Sequence, residues 1–460
     1  MSAAGLPDPG DVAEHVVRAA GRPCVALVED AHEADVRFAN NTVTTDGVRT
    51  DRRVTAILAE PSEKPGHPGR AGVARRSGDV DADALVREAA AALGPADDAA
   101  PLLEGGEEPG FGEEAGVTGL DRLASVVSGL AAAFARAEGS GTTLSGFAEH
   151  RVTTTYLATS TGLRRRHVQP TGALQLVARK DGASAWAGVG TADFLDVELG
   201  SLEETVRRGL AWSTRRIDVS PGRHEVLLPP SAVADLMIFL VEAASGRESE
   251  DGRTVFSKPG GGTRVGDALT PLAFDLWSDP GEPGLECAPF LATSVSSADV
   301  SVFDNGLGLD RTEWLRAGRL EHLRYHRAGA TRSQTAVAAP IDNLSLALPG
   351  AAGTLDDLIA STERGLLLTC LWYIREVDPK TLLLTGLTRD GVYVVEDGKV
   401  AGATSNFRFN ESPVDVLRRA THVSTTVRTY GREGGMWMNR TAMPALRVPD
   451  WNMSTTSRAV

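Results

Sequence analysis

Two histidines four residues apart, His322 and His326 in EHLRYHR, form the spacing in this 460-residue chain that most invites a metal ion. On a helix, such a pair would put two imidazoles on one face, where they could share zinc. No Glu follows the first histidine to serve as general base, and Gly318 and Gly329 bracket the segment. If the stretch is instead a strand, the two residues stand ~13 Å apart, out of reach of one ion. The glycine-rich KPGGGTRVGDA lacks a Gly-Lys-Ser/Thr ending, and Gly260, Gly261, Gly262 and Gly266 do not follow the G-x-G-x-x-G spacing, so a turn is expected there. No G-x-S-x-G elbow occurs. Cys24, Cys287 and Cys370 are few, odd in number and far apart, which indicates reduced thiols rather than a disulfide framework or a clustered zinc motif. The basic run Arg164 to His167 is short and reads as a solvated turn or strand end.

The strongest element that could carry chemistry is a helix starting near Ser231. Val233, Leu236, Met237, Leu240, Val241 and Ala244 recur at helical spacing and define one buried face. Ser231 is the expected N-cap, Gly246 the expected stop, and Glu242 a peripheral carboxylate. Before this helix the chain alternates helical stretches (DVAEHVVRAA, DADALVREAAAAL, LDRLASVVSGLAAAFARA, SLEETVRRGLAWSTRR) with Thr- and Val-rich strands, and Asn40-Asn41 and Asp46-Gly47 are hairpin signals. PSEKPGHPGRAG reads as a linker and the acidic stretch 97–116 as a loop with little to pack. After DVSPGRHE the pattern turns to strands, with tight turns expected at Asp390-Gly391 and Asp397-Gly398. These features predict an α+β fold of two domains: residues 1–220 with antiparallel strands and helices, and residues 221–460, β-rich and opened by the one long helix.

Composition narrows the function. The formal net charge of -14 carries no compensating basic stripe, which argues against a nucleic-acid partner. No apolar run approaches the ~20 residues needed to span a bilayer, and the start lacks a signal-peptide pattern, so a cytoplasmic protein is expected.

Several stretches, taken in order, resemble the TldD/PmbA family. They are ADVRFANNTVTTDGVRTDRRVTAILAE, ATSTGLRRR, ASGRESEDGRTVFSKPGGGTRVGDAL, VFDNGLGLDRTEWLRAGRLEHLRYHRAGATR and TLLLTGLTRDGVYVVEDGKVAGAT, and they run through nearly the whole chain. The resemblance implies two kinds of subunit. The TldD kind holds zinc with H-E-x-x-x-H on the helix opening the C-terminal domain and a Cys near the C-terminus, the motif Glu activating the bound water. The TldE (PmbA) kind pairs with it and lacks those ligands. Laid on this chain, Val241 and Gly246 fall at the His positions, Glu242 at the Glu position, and the Cys-bearing segment falls around Met436. The resemblance therefore implies a TldE-like subunit without catalytic or metal-binding residues. It would pair with a TldD-type partner that carries the zinc, would form half of the substrate chamber, and would serve the processing of unfolded or leader-bearing peptides. A stand-alone or homodimeric peptide-binding protein is the alternative, and an enzyme built on His322 and His326 is a third reading. Asn343 and Asn406, whose amides could pair with a peptide backbone, are the expected substrate-lining residues.

Overall fold

The computed structural model describes residues 7–61 and 68–457. Its first sheet is antiparallel throughout, in the order β4-β3-β2-β1-β5-β6-β7. The strands are β1 (Cys24–Ala39), β2 (Thr42–Glu60), β3 (Gly69–Ser77), β4 (Gly94–Ala96), β5 (Thr143–Thr159), β6 (Arg164–Lys180) and β7 (Ala183–Thr191). Helices α1 (Pro9–Ala20) and α2 (Ala82–Ala91) cover one end, and α3 (Ala124–Gly139) and α4 (Leu199–Trp212) the other, each burying its apolar stripe against the sheet.

Long strands override two local turn signals. Asn40 and Asn41, with φ of 53° and 58°, make the β1–β2 turn as expected. Asp46-Gly47 does not turn: it continues β2, because Asp46 and Gly47 pair with Val36 and Asp35 in an antiparallel ladder whose register shifts only beyond them, between Arg37 and Phe38. The expected linker ends early as well. Its segment 62–67 lies outside the described residues, while Gly69 onward is already β3.

The basic run and the acidic loop explain each other. Arg164, Arg165 and Arg166 sit inside β6, where Arg164 pairs with Glu14, Arg165 with Glu108 at 2.9 Å and Arg166 with Glu113 at 3.2 Å. The acidic stretch is irregular as expected, yet it does pack: Leu102 and Phe111 are buried, and Phe111 meets Tyr156 edge-on at 5.9 Å.

From residue 222 onward two further sheets form. One is built from β9 (Asp275–Ser278), β10 (Thr312–Arg316), β11 (Arg319–Leu320), β12 (Leu344–Ala347), β18 (Val427–Thr429) and β19 (Thr441–Met443). The other contains β8 (Gly222–Leu228), β13 (Arg364–Asp378), β14 (Leu383–Glu396), β15 (Lys399–Ala403), β16 (Asn406–Glu411), β17 (His422–Val423) and β20 (Leu446–Ser457). Its path β13-β8-β20-β16-β14 closes on itself through a β14–β13 ladder, leaving no open edge among those five strands. Asp397-Gly398 turns the chain from β14 to β15, whereas Asp390-Gly391 stays within β14: both residues have positive φ, 49° and 125°, and kink the strand without reversing it.

Helix α5 (Pro230–Glu242) packs against β8 and β13 of one sheet and β18 and β19 of the other. The six predicted face residues are all buried, and so are Ala232, Ala234, Asp235 and Ile238, as befits a helix covered on more than one side. Its ends differ from expectation. Pro229 is the N-cap and Pro230 the first helical residue, because a proline preset to helical φ and lacking an N–H suits that position better than Ser231. The helix stops at Glu242, and Gly246 instead opens a short helix, α6 (Gly246–Glu250), capped by Ser245.

Candidate functional site

Val241, Glu242 and Gly246, which the resemblance singled out, lie at or just past the end of α5, and the Met436 segment packs on the same helix at Asp235 and Ile238. The turn 434–436, in the middle of the Met436 segment, packs on this helix, and Asp235 is what fixes it there. Its carboxylate is fully buried and accepts three successive backbone N–H groups, from Arg432 at 3.2 Å, Glu433 at 3.1 Å and Gly434 at 2.8 Å. Burial pushes the Asp235 carboxyl up to about 7, although the Gly434, Glu433 and Arg432 amides pull the other way. Ile238 lies one turn further along and abuts Gly434, so the same helical face next presents Val241 and Glu242.

The side chains at this place do not suit a zinc ion. Val241 is aliphatic and sunk in the core. Gly246 has no side chain, and a Cβ there would overlap the ring of Tyr325, so the space that a ligand at 246 would enter is filled by that ring. Met436 is 65% exposed and offers only a thioether. Glu242 faces solvent and pairs with Arg324 at 3.4 Å; the buried Arg324 also donates to the Glu242 carbonyl and pairs with Asp299 at 2.8 Å. A carboxylate next to a guanidinium is held in place without any metal. Among the described residues, no group of three or more His, Cys, Asp or Glu has a geometry that could hold a metal ion.

His322 and His326 are not one helical face. Residues 321–326 are irregular, and the next helix begins only at Arg327. His322 Nδ1 donates to the Glu313 carbonyl at 2.8 Å, while His326 Nδ1 accepts from Gly329 N at 3.2 Å as the cap of that helix. Burial lowers the His326 pKa and keeps the ring neutral. Asn343 is buried, with its amide engaged inside the chain: Oδ1 accepts from Asp279 N at 2.9 Å, and Nδ2 donates to the Leu285 and Asp279 carbonyls. Asn406 opens β16, accepts from Thr388 Oγ1 at 3.3 Å and lines a cavity of about 270 Å³. The three cysteines are free and buried, and desolvation raises each thiol's pKa, to about 12 for Cys24 and Cys287.

Sequence reasoning passed over two residues that organise the site. Asp235 is a lone carboxylate in the apolar run AVADLMIFLV, and that isolation is the signal that could have found it. Arg432 carried no such signal. Its guanidinium lies between Trp186 at 5.3 Å and Trp372 at 4.8 Å, donates to Gln175 Oε1 at 2.7 Å and faces Asp390 at 3.7 Å. Trp186 and Gln175 belong to the first sheet, and Trp372 and Asp390 to β13 and β14. The segment that Asp235 anchors therefore also joins the two halves of the molecule.

The strand-rich architecture, the helix between two C-terminal sheets and the segment bolted onto it define a chain that belongs to the PmbA/TldD metallopeptidase family: residues 221–455 match the PmbA/TldA metallopeptidase C-terminal domain. Among solved structures the chain is similar to TldE from Thermococcus kodakarensis, with a TM-score of 0.76 at 17% identity over 96% of this chain and 99% of that one. A proposed modulator of DNA gyrase from Thermotoga maritima is similar with a TM-score of 0.73, 16% identity and coverage of 96% and 99%. Another from Bacteroides thetaiotaomicron gives 0.70, 13%, and 96% and 98%. At such identities the likeness concerns the fold. No functionally curated protein matches the chain.

The unsuitable ligand positions carry a prediction. After mild chelation the isolated chain is expected to hold less than about a tenth of a zinc ion, and the Val241→His, Gly246→His double variant to gain none, since the Tyr325 ring denies the second imidazole its place. Elemental analysis giving near-stoichiometric zinc in either protein would contradict this.

Proposed function

We propose that this chain is the non-catalytic, TldE-like subunit of a heterodimeric TldD/TldE zinc metallopeptidase. Its C-terminal half would form part of the chamber in which the partner's zinc hydrolyses unfolded or leader-bearing peptides. One observation carries the reading: the end of α5 and the Met436 segment keep the family architecture, yet Val241, the Gly246–Tyr325 contact and Met436 offer no ligand set. Zinc is assigned to the partner alone, because Val241 and Gly246 provide no lone pair. The reading places the protein in the cytoplasm, where its three unpaired thiols stay reduced. Among the described residues, no helix is long and apolar enough to cross a membrane.

The test is assembly. Co-expressed with a TldD-type subunit, the chain is expected to elute as a 1:1 complex in chromatography with light scattering, with an interface on the order of 2,000 Å² as for obligate pairs. A chain that stays monomeric at micromolar concentration whether or not that subunit is present would overturn the proposal.

A further inference from the structure

Two of the segments packed against α5, β13 and the turn at 434–436, leave apolar side chains uncovered. Tyr373, Val377, Met436 and Trp437 are 60%, 57%, 65% and 58% exposed, unusual for side chains of this size. They come from two segments, the irregular stretch of β13 and the turn at 434–436 with Trp437 directly after it, and Glu433 ties the two together. Its Oε2 accepts from Ile374 N at 2.9 Å and its Oε1 from Arg375 Nη1 at 3.0 Å, while the Arg375 guanidinium covers the Tyr373 ring at 4.8 Å. Tyr373 has φ of 56°, a backbone conformation that bulky residues rarely adopt, at the point where the register of β13 against β14 shifts. The kink holds the ring out in solvent.

Carboxylates border this surface. Glu376 lies on β13 between Arg375 and Val377, and burial together with the charges of Glu248 and Asp378 raises its pKa, so these acids face one another. Glu242 and Glu248 likewise both act on Asp299. The nearby cations are already engaged: Arg375 with Glu433, Arg324 with Asp299 and Glu242, and Arg247 and Arg253 with Asp251. Among the described residues, Glu248 and Glu376 have no ion-pair partner. The surface is thus apolar at its centre and acidic at its margin. A second copy of this chain would set acid against acid. A folded subunit would need roughly 20–30 residues on its side of a stable interface, far more than four apolar side chains supply. An extended peptide segment matches both the size and the charge.

We infer that Tyr373, Val377, Met436 and Trp437, with the Glu376 and Glu248 carboxylates at their margin, form a docking surface for an extended peptide whose apolar side chains are flanked by Lys or Arg. The inference rests on the peptidase-subunit reading and gives that reading a substrate class. Apolar side chains of the peptide cover the aromatic and Met side chains, and its cations meet the Glu248 and Glu376 carboxylates; this contact sets which peptides are retained, without any chemistry on this chain.

The experiment is fluorescence anisotropy with the full chain and two labelled peptides, one of alternating Leu and Lys and one of alternating Leu and Glu. The Lys peptide is expected to bind the wild type at least about tenfold more tightly than the Glu peptide, and less tightly as salt is raised. Met436→Ala with Trp437→Ala, and separately Glu248→Gln with Glu376→Gln, should each weaken the Lys peptide by roughly tenfold, the scale of a lost hot spot. Melting curves check that both variants remain folded. Equal affinity for the two peptides, or unchanged binding by the Met436/Trp437 variant, overturns the inference. So does a Met436/Trp437 variant that binds peptide normally but no longer assembles with a TldD-type subunit, because that outcome assigns the surface to the partner. Assembly is read separately by light scattering, so a chain that binds Lys peptides but never assembles would sink the subunit reading and leave the docking surface standing.

Discussion

Asp235→Ala is expected to destabilise the protein by about 3 kcal/mol, because it strands the buried N–H groups of Glu433 and Gly434 at roughly 1–3 kcal/mol each and the part-buried one of Arg432. The loss should depend on pH. Burial raises the folded-state carboxyl from 3.8 to about 7, so folding favours the protonated form. The stability this confers is fully present below about pH 4 and is lost as pH rises through 7, at up to about 1.4 kcal/mol per pH unit. Urea midpoints should therefore show a larger gap between wild type and variant at pH 5 than at pH 8. A gap below about 1 kcal/mol at pH 5, or one that grows with pH, would show that the Asp235 anchor is not what holds the 432–434 segment.

Glu242→Gln should leave the peptidase activity of the reconstituted complex nearly unchanged, while the corresponding Glu→Gln change in a TldD-type partner should reduce it by ~10²–10⁴-fold, the usual cost of losing a general base. The reason is local. Glu242 is 60% exposed at its side chain and paired with Arg324, and its neighbours Val241 and Gly246 offer no lone pair to hold a metal ion near it. Peptide cleavage by the two variant complexes decides the matter. A loss of ~100-fold from Glu242→Gln, in a complex that still assembles, would place the chemistry on this chain.

Much of the fold was legible where the information is local. The 3.6-residue period of Val233, Leu236, Met237, Leu240 and Val241 gave α5 its buried face, and the paired asparagines at 40–41 marked a hairpin. The expectations that failed were those decided by distant residues. Asp46-Gly47 has a turn sequence, yet its partner strand continues past it and the ladder prevails. Gly246 looked like a helix stop, whereas its lack of a side chain matters because Tyr325 needs the room. The basic run in β6 and the acidic loop each seemed without a role, since their pairing is visible only once the sheet brings Arg165 to Glu108 and Arg166 to Glu113.

The candidate site was legible in a different way. The ligand positions at Val241, Gly246 and Met436 could be placed only through the family resemblance, because an absent ligand leaves no pattern of its own. Arg432 shows the limit of such reading. Nothing in YGREGGMWMNR announces a guanidinium held between Trp186 and Trp372, two rings from opposite halves of the chain.

If this chain completes a peptidase without supplying its chemistry, activity must require both subunits. The most direct measurement is cleavage of an unstructured peptide by three samples at equal concentration: this chain alone, a TldD-type subunit alone, and the two together. Cleavage is expected only from the pair, as it would be if the partner brought the metal and this chain helped to enclose substrate beside it. Zinc-dependent cleavage by this chain alone, or undiminished cleavage by the partner without it, would contradict the claim.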